Sequence, residues 1–259
     1  MKIQNSQQKS QSDEYNLPYH YFVSYDPQSP SFKSYKSLMF ALSYALGNSL
    51  VYQAIKDSQA ETWCDVGCGD GALISSLQSF LPGVKCVGID YDEKAIALAN
   101  HINPADPAIY QAKDITTDCS DMYDIVTAVE VLEHIPPSEF SRFVQSLGAL
   151  VAPGGSLVIT VPHVNQGMAA KHYRHFKIEE MTNLLVKDLP DFEVSEAFGF
   201  WHRNWLERVN KALFQTKHVF LEIAGLNRLR MRLQLKSLPL TDNKAQQVFV
   251  RLAKRVSDA

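Results

Sequence analysis

Short apolar runs alternate with longer amphipathic segments through the middle of the chain. The apolar runs predict strands, and the segments with apolar residues at every third or fourth position predict helices. Alternation at this spacing indicates βαβ units, a parallel sheet and a ligand site beyond the carboxyl ends of the strands. The predicted strands are 61–66, 85–90, 108–113, 124–131 and 156–161, and the predicted helices are 72–80, 93–101 and 138–150.

The segments before this alternating region predict a tail and a cover. Residues 1–14 are polar and rich in Gln and Ser, without the apolar stretch of a secretory signal, and we expect a disordered tail there. Residues 15–58 predict an N-terminal helical lid over the ligand site, with aromatic residues between 15 and 25. Within it, 38–55 has no charged residue until Lys56, but its Ser, Gly, Asn and Gln favour a buried helix over a membrane span. Residues 59–259 form the main predicted domain.

The end of the chain departs from simple alternation. A helix is predicted at 178–186 and strands at 191–200 and 246–252, with a helical insertion at 201–240 between the two strands. Residues 201–236 hold eight basic residues but only two acidic ones. The sequence leaves three interpretations open for this stretch: a solvated helix face, a cover over the acceptor cleft, or peripheral contact with an anionic membrane. The apolar residues assigned to one helix face are Trp201, Trp205, Leu206, Val209 and Leu213.

Composition narrows the class of protein. A chain of 259 residues with 46% hydrophobic residues suits one decorated α/β domain with a large core. The formal net charge of -3 does not favour nucleic acid as a partner. The four cysteines lack zinc-site spacing and are too few for a disulfide framework, so we expect reduced thiols and a cytoplasmic, or peripherally membrane-bound, protein.

The stretch DVGCGDG, residues 65–71, follows the first predicted strand. Gly67, Gly69 and Ala72 formally satisfy a dinucleotide-binding pattern, but no Lys is present for a triphosphate loop. Asp65 and Asp70 place negative charge where a pyrophosphate would lie, which favours a ligand with a cationic group. Asp90 ends the next strand, where an acid can accept hydrogen bonds from ribose hydroxyls. The loop therefore predicts a nucleoside with a charged, partly cationic tail.

At this point the sequence resembles the class I S-adenosylmethionine-dependent methyltransferases over about 60–162. The resemblance lies in the glycine-rich stretch, in Asp90-Tyr91 and Asp114-Ile115, in EVLEHI at 130–135 and in LVAPGG at 150–155. It implies a Rossmann-like, seven-stranded, mostly parallel sheet with helices on both faces and an antiparallel last strand. It also implies S-adenosylmethionine as the methyl donor. The donor-binding residues it implies are Asp65, Gly67, Gly69, Asp90, Tyr91, Asp114, Ile115 and Glu130.

Two later stretches concern the acceptor. EVLEH at 130–134 together with HYRHF at 172–176 resembles a subgroup that includes ubiquinone-biosynthesis O-methyltransferases. A similar pattern also resembles the metal site of small-RNA 3′-terminal 2′-O-methyltransferases. Carboxylates with imidazoles suit a divalent cation such as Mg²⁺, although the same residues could merely orient loops. The resemblance implies Glu130, His134 and His175 as catalytic residues, and Glu130, Glu133, His134 and His175 as metal ligands.

The predicted function is methyl transfer from S-adenosylmethionine to a small-molecule or lipid-linked acceptor, at oxygen. Metal-assisted 2′-O-methylation of RNA remains open as a second activity. The sequence is also compatible with a donor-binding protein without turnover and with a dinucleotide-dependent oxidoreductase. It does not identify the acceptor.

Overall fold

The computed structural model describes residues 6–15, 19–29, 31–34, 41–103, 109–117, 120–214 and 223–256. The strands are β1 (Val23–Asp26), β2 (Ser31–Ser34), β3 (Thr62–Val66), β4 (Lys85–Asp90), β5 (Tyr110–Ala112), β6 (Tyr123–Val129), β7 (Val151–Pro162), β8 (Phe192–Phe200) and β9 (Gln247–Lys254). The helices are α1 (Ser6–Glu14), α2 (Ala41–Ser58), α3 (Ala72–Leu77), α4 (Glu93–Ile102), α5 (Phe140–Ala149), α6 (Ile178–Asp188), α7 (Trp205–Phe214) and α8 (Ala224–Lys236).

Seven strands form the main sheet in the order β5-β4-β3-β6-β7-β9-β8. All neighbouring pairs from β5 to β7 are parallel, whereas β9 is antiparallel to both β7 and β8. The predicted seven-stranded, mostly parallel sheet with an antiparallel last strand is therefore confirmed. This arrangement brings the carboxyl ends of β3, β4 and β6 to one edge, where the predicted site residues follow them.

The boundaries of β7 differ from those of the predicted strand. The sequence predicts a strand at 156–161, preceded by the turn-forming residues Pro153-Gly154-Gly155, but the strand runs from Val151 to Pro162. Its pairing with β6 skips the residues between Val151 and Ser156, so the Pro-Gly-Gly stretch lies in a bulge. Gly155 is required there, because a Cβ at this position would lie 2.6 Å from the backbone oxygen of Asp124. The local turn signal is therefore retained as a bulge within a longer strand.

Two apolar cores cover the faces of the sheet. One packs α2, α3 and α4 against the strands, and the other packs α5 and α6 against the opposite face. Trp63 on β3 is fully buried in the first core, and its indole N–H donates to Thr127 Oγ1 at 2.9 Å. The uncharged segment predicted as a buried helix corresponds to α2. In the part of the chain that the structure describes, no helix is long and apolar enough to cross a bilayer.

The N-terminal segment differs from the sequence prediction in two ways. Residues 1–14 were predicted to be a disordered tail, but helix α1 occupies Ser6–Glu14. Its end is held by a tertiary contact, since Lys94 Nζ donates to the backbone oxygen of Ser12 at 3.2 Å. The predicted helical lid at 15–58 is helical only in part, because β1 and β2 form an antiparallel hairpin between a short 3-10 helix and α2.

The insertion between β8 and β9 contains two helices, α7 and α8, as the sequence predicted; residues 215–222 lie outside the described part. Arg230 on α8 binds Glu207 on α7 through two charge-assisted hydrogen bonds of 2.9 and 2.6 Å. The five apolar residues assigned to one face do not share an environment. Trp201 and Leu206 are buried, whereas Trp205 and Leu213 are exposed, because α7 uses only one side to pack on the domain.

Candidate active site

A cavity of about 670 Å³ lies beyond the carboxyl ends of the strands. It extends from the loop after β3 to the residues that follow β6, and α2 and the N-terminal segment contribute further walls. Among the described residues, α7 and α8 contribute no lining side chain, so the structure does not support the insertion as a cover over this cleft. The sequence-predicted residues in its lining are Asp65, Gly67, Gly69, Asp90, Tyr91, Asp114, Ile115, Glu130, Glu133 and His134.

The glycine-rich loop turns sharply after β3. Gly67 and Gly69 have φ angles of 75° and 55°, in the left-handed region that side chains disfavour. A Cβ at Gly67 would lie 2.5 Å from Val131, and a Cβ at Gly69 would lie 2.6 Å from the hydroxyl of Tyr15. Both glycines are therefore required by backbone conformation and by space. The loop presents bare backbone to the cavity.

Asp90 lies at the end of β4, directly beside this loop. Its carboxylate accepts hydrogen bonds from the backbone N–H groups of Gly69 and Asp92, both at 2.9 Å. Burial nevertheless raises the pKa of Asp90 to about 6. A carboxylate has about four acceptor positions, so these two bonds leave capacity for ligand hydroxyls. The arrangement suits the ribose role predicted for Asp90.

Asp65 is the second buried acid at the loop. It is 3% exposed, and its Oδ1 accepts a 2.6 Å hydrogen bond from Thr127 Oγ1 on β6. Burial raises the pKa of Asp65 to about 7, although the Thr127 bond acts in the opposite direction. A buried carboxylate with so raised a pKa gains most from a cationic partner. Asp65 therefore suits the ammonium group of an amino acid.

The sequence suggested that the negative charge of Asp70 faces the ligand, but its carboxylate contacts a histidine of the N-terminal segment. Both of its carboxylate oxygens lie 3.1 Å from His20 Nδ1, and its backbone oxygen accepts a bond from the Tyr21 hydroxyl at 3.2 Å. The His20 ring in turn stacks on Tyr44 of α2, with centroids 5.4 Å apart. Because Tyr15 and His20 also line the cavity, the N-terminal segment forms part of the wall beside the loop.

Tyr91, Asp114 and Ile115 follow β4 and β5 on the same side of the cavity. Ile115 is 4% exposed and provides an apolar surface. Asp114 Oδ1 accepts from the backbone N–H and hydroxyl of Thr116 at 3.0 and 2.7 Å, which fixes its carboxylate. These residues give the shape and the hydrogen-bond acceptor that an adenine ring needs.

Glu130 marks the other side of the cavity, immediately after β6. Its φ angle of 56° is unusual for a residue with a side chain and places the carboxylate at the site. Thr160 Oγ1 donates to Oε1 at 3.0 Å, and Gln247 Nε2 donates to Oε2 at 3.2 Å. Burial raises the pKa of Glu130 despite these bonds. The side chain is therefore held in place by β7 and β9, and its raised pKa favours acceptance of a proton.

Three metal-ligating side chains converge next to Glu130. Glu133, His134 and His172 offer ligand atoms that all lie within 4.8 Å of one another. His175 was predicted as a ligand and catalytic residue, but the structure places it behind His172, with its Nε2 2.8 Å from His172 Nδ1. His172, and not His175, is therefore the histidine that joins Glu133 and His134. Glu130, also predicted as a ligand, is not one of these three side chains.

A chain of hydrogen bonds fixes the orientation of these imidazoles. His175 Nδ1 lies 3.1 Å from the backbone oxygen of Gln166, so this nitrogen carries the proton. His175 Nε2 then accepts from His172 Nδ1, which puts the lone pair of His172 on Nε2. His134 Nδ1 likewise donates to the backbone oxygen of Lys171 at 3.2 Å. Histidine metal ligands are commonly oriented by such bonds from the other ring nitrogen.

The electrostatics of this group suit a cation. Glu133 is 1% exposed, and its Oε2 has no hydrogen-bond partner among the described residues. Burial and the nearby carboxylate of Glu130 raise the pKa of Glu133 well above its ordinary value. Burial and the neighbouring imidazoles lower the pKa of His172 to about 3, which keeps this ring neutral. A divalent cation would satisfy the acid and use the neutral rings.

Several contributors to the site were not predicted from the sequence. Thr127, Thr160 and Gln247 hold the acidic side chains but belong to strands that carry no motif of their own. The sequence suggested His20, among the aromatic residues between 15 and 25, only as a weaker candidate base. His172 had a sequence signal, since it lies three residues before His175 in HYRHF, but spacing alone could not rank the two histidines.

Comparison with known proteins gives one family and several relatives. The profile of the family described as "Methyltransferase domain" matches residues 40–202. The ubiquinone biosynthesis O-methyltransferase of Coxiella burnetii is 35% identical over 132 residues, which are 49% of this chain and 54% of that protein. The protein of the same name from Pseudomonas syringae is 29% identical over 148 residues, covering 54% of this chain and 61% of the relative. The chain thus spans little more than half the length of these relatives.

Among solved structures, the magnesium protoporphyrin IX methyltransferase of Synechocystis PCC 6803 with bound SAM superposes with a TM-score of 0.57. The superposition covers 98% of this chain and 100% of that chain at 14% sequence identity. At this identity the likeness concerns the fold alone.

Proposed function

The chain belongs to the methyltransferase-domain family, and from that premise we propose that it transfers the methyl group of S-adenosylmethionine to a hydroxyl oxygen of its acceptor. One observation carries the proposal. A single cavity joins the glycine-rich loop to the cluster formed by Glu130, Glu133, His134 and His172. The loop provides the chemistry of a donor site, and the cluster provides proton acceptors and ligands for a cation.

The donor would bind on the side of β3, β4 and β5. In this proposal Asp65 binds the ammonium group, Asp90 the ribose hydroxyls and Asp114 the exocyclic amine of adenine, with Ile115 against the ring. Gly67 and Gly69 leave room for the ligand to approach the backbone. These assignments are supported by the position of all six residues in the lining of the cavity.

On the acceptor side, the residues must position a nucleophile and remove its proton. S-adenosylmethionine supplies a methyl group on a sulfonium that is already a good leaving group, so in-line positioning is the main requirement. A hydroxyl acceptor must also lose a proton, which Glu130 can accept; His134 can accept it at Nε2 only when that nitrogen binds no cation. Thr160 and Gln247 hold the Glu130 carboxylate in one orientation for this task.

We also propose a divalent cation on Glu133, His134 and His172. The fit rests on the unpartnered Oε2 of Glu133 and on rings whose proton positions are fixed by backbone carbonyls and by His175. Such an ion would lower the pKa of a bound hydroxyl. His175, in this proposal, orients His172 rather than binding the ion, which revises the ligand set expected from the sequence.

The acceptor is proposed to be a small or lipid-linked molecule. The acceptor side of the cavity combines the polar group with apolar walls that include Val129, Ile135 and Phe200. Its volume falls in the range of small-molecule sites. The names of the relatives, which refer to ubiquinone biosynthesis, support a hydroxylated aromatic acceptor with an apolar substituent.

Labelled S-adenosylmethionine tests the proposal directly. The protein is incubated with hydroxylated aromatic acceptors, with and without an adjacent second hydroxyl and an alkyl chain, and transfer is measured with added Mg²⁺ and with EDTA. An RNA oligonucleotide with a free 3′ end serves as the competing acceptor. We expect transfer to the aromatic acceptors and loss of transfer with EDTA. Transfer only to RNA would refute the acceptor proposal.

Matched histidine variants separate catalysis from binding. His134→Ala and His172→Ala should lower kcat by at least about 100-fold, in the range attributed to positioned acid–base groups, with unchanged affinity for S-adenosylhomocysteine. His101→Ala, an exposed histidine on α4, is the control. Tight binding of S-adenosylhomocysteine without transfer to any acceptor would favour a donor-binding protein. Binding of NAD in its place would favour an oxidoreductase.

A further inference from the structure

Helix α7 carries an apolar stripe on its outer side. Trp205, Val209 and Leu213 are spaced four residues apart, so they lie along one side of the helix. Their exposed fractions are 70%, 39% and 59%. A tryptophan exposed to this degree, next to two exposed aliphatic side chains, forms the kind of contiguous apolar surface that usually marks an interaction site.

The side of α7 next to the stripe is fixed to the domain. Leu206 and Asn210 are buried at 7% and 3% exposure. Glu207 forms the ion pair with Arg230 of α8, both side chains being largely shielded from solvent. Because these contacts set the rotation of the helix, the apolar stripe cannot turn inward without breaking them.

Exposed positive charge lies on the same two helices and on the segment before them. The acid of the described part of 201–236 is Glu207, and its carboxylate is neutralised by Arg230. Two further apolar side chains on α8, Leu229 and Leu235, are exposed at 48% and 37%. The exposed basic residues of the two helices and the segment before them are Arg203, Arg208, Lys211, Arg228, Arg232 and Lys236.

We propose that α7 and α8 form a docking surface for an anionic lipid bilayer. The apolar stripe would enter the boundary between headgroups and acyl chains, where an indole ring is favoured. The basic side chains would bind lipid phosphates, and charge complementarity selects anionic lipids over neutral ones. Two of the three stripe residues are aliphatic and cannot stack on bases, so an RNA strand is the less suitable occupant. The proposal is independent of the methyl acceptor.

Vesicle sedimentation with the full chain tests the surface. Binding to phosphatidylglycerol-rich vesicles should exceed binding to phosphatidylcholine vesicles by at least about tenfold, because several basic residues contribute. Trp205→Ser with Leu213→Ser should reduce binding about tenfold or more. Met122→Ser, at a residue 57% exposed before β6, is the matched control and should bind like the unmodified protein.

A charge-reversal pair tests the electrostatic part. Arg208→Glu with Lys211→Glu should reduce binding to anionic vesicles at least about tenfold, since each basic residue near such a surface contributes. Lys56→Glu with Lys187→Glu changes the net charge equally at exposed positions outside the surface. Equal loss in both pairs would show that only overall charge matters and would overturn the proposal. All variants must retain S-adenosylhomocysteine binding, which shows that they are folded.

Tryptophan fluorescence provides a site-specific readout. Trp63 and Trp201 are 0% and 9% exposed, so a change on adding vesicles reports mainly on Trp205. Anionic vesicles should shift the emission to shorter wavelength and protect it from an aqueous quencher, and Trp205→Phe should abolish the shift. Binding without such a shift, equal binding to neutral vesicles, or preferential protection by an RNA oligonucleotide would each overturn the proposal.

Discussion

Ionisation of Asp65 should control affinity for the donor. Burial raises the pKa of this acid to about 7 in the ligand-free protein, whereas the ammonium group of the donor remains charged up to about pH 7.7. If only the ionised acid binds the ammonium group, affinity follows the ionised fraction. That fraction rises from about 3% at about pH 5.5 to about 50% at about pH 7, so the association constant should rise about 16-fold.

Isothermal titration with S-adenosylhomocysteine across this pH range measures the effect. Binding at the lower pH should also release a proton, which appears as a dependence of the heat on the ionisation enthalpy of the buffer. Asp65→Asn should bind more weakly at neutral pH and lose most of the pH dependence of the affinity, since Asn keeps a partner for Thr127 but cannot ionise. Asp57→Asn, at an exposed residue of α2, should keep the pH dependence of the unmodified protein. A flat profile for the unmodified protein, or an equal slope in Asp65→Asn, would refute the assignment.

Three further predictions concern stability. The free energy of unfolding of the ligand-free protein should fall as the pH rises from about 4 to about 7. The reason is that the raised pKa values of Asp65 and Asp90 favour their protonated forms in the folded state. Thermal melts across this pH range should show a smaller fall in stability for Asp65→Asn. Gly67→Ala should destabilise the protein by about 1–3 kcal/mol, seen in urea unfolding, because φ is 75° and the new Cβ would contact a valine; unchanged stability would contradict the clash. Glu207→Gln should cost about 3–5 kcal/mol by leaving buried Arg230 unneutralised, and a cost equal to that of exposed Glu193→Gln would contradict this.

The donor side of the site could be predicted closely from the sequence. Its glycines and acids are either contiguous, as in residues 65–71, or stand directly after a strand, as Asp90 and Asp114 do. Parallel pairing of β3, β4 and β5 then brings the strand ends together without further information. The sequence did not show that Asp70 pairs with His20, because that contact joins residues 50 positions apart.

The choice between His172 and His175 could not be made from the local sequence pattern. The two residues are close in sequence, and both carry the same ligand chemistry. What separates them is the hydrogen bond from His175 Nδ1 to the backbone of Gln166, which turns His175 into a support for His172. The path of the loop after β7 determines this contact. Composition and spacing contain no information about that path.

The N-terminal helix shows the limit of local pattern for secondary structure. Residues 6–14 have no amphipathic pattern, and the helix is held by contacts such as Lys94 to Ser12. In this case a tertiary contact outweighs the local preference of the chain. In β7, by contrast, the Pro-Gly-Gly stretch keeps its local preference, because it lies in a bulge that the pairing with β6 skips.

The acceptor side depends on the most non-local part of the fold. The Glu130 carboxylate is held by Thr160 and Gln247, which are 30 and 117 residues away in sequence. Gln247 reaches it only because β9 enters the sheet antiparallel to β7, with Val161 opposite Val248 and Pro162 opposite Gln247. Since the insertion with α7 and α8 lies between β8 and β9, the chain must complete the insertion before it supplies this last acceptor-side contact. The acids proposed for the donor are therefore held by contacts among β3, β4 and β6, whereas Glu130, on the proposed acceptor side, also needs β7 and β9.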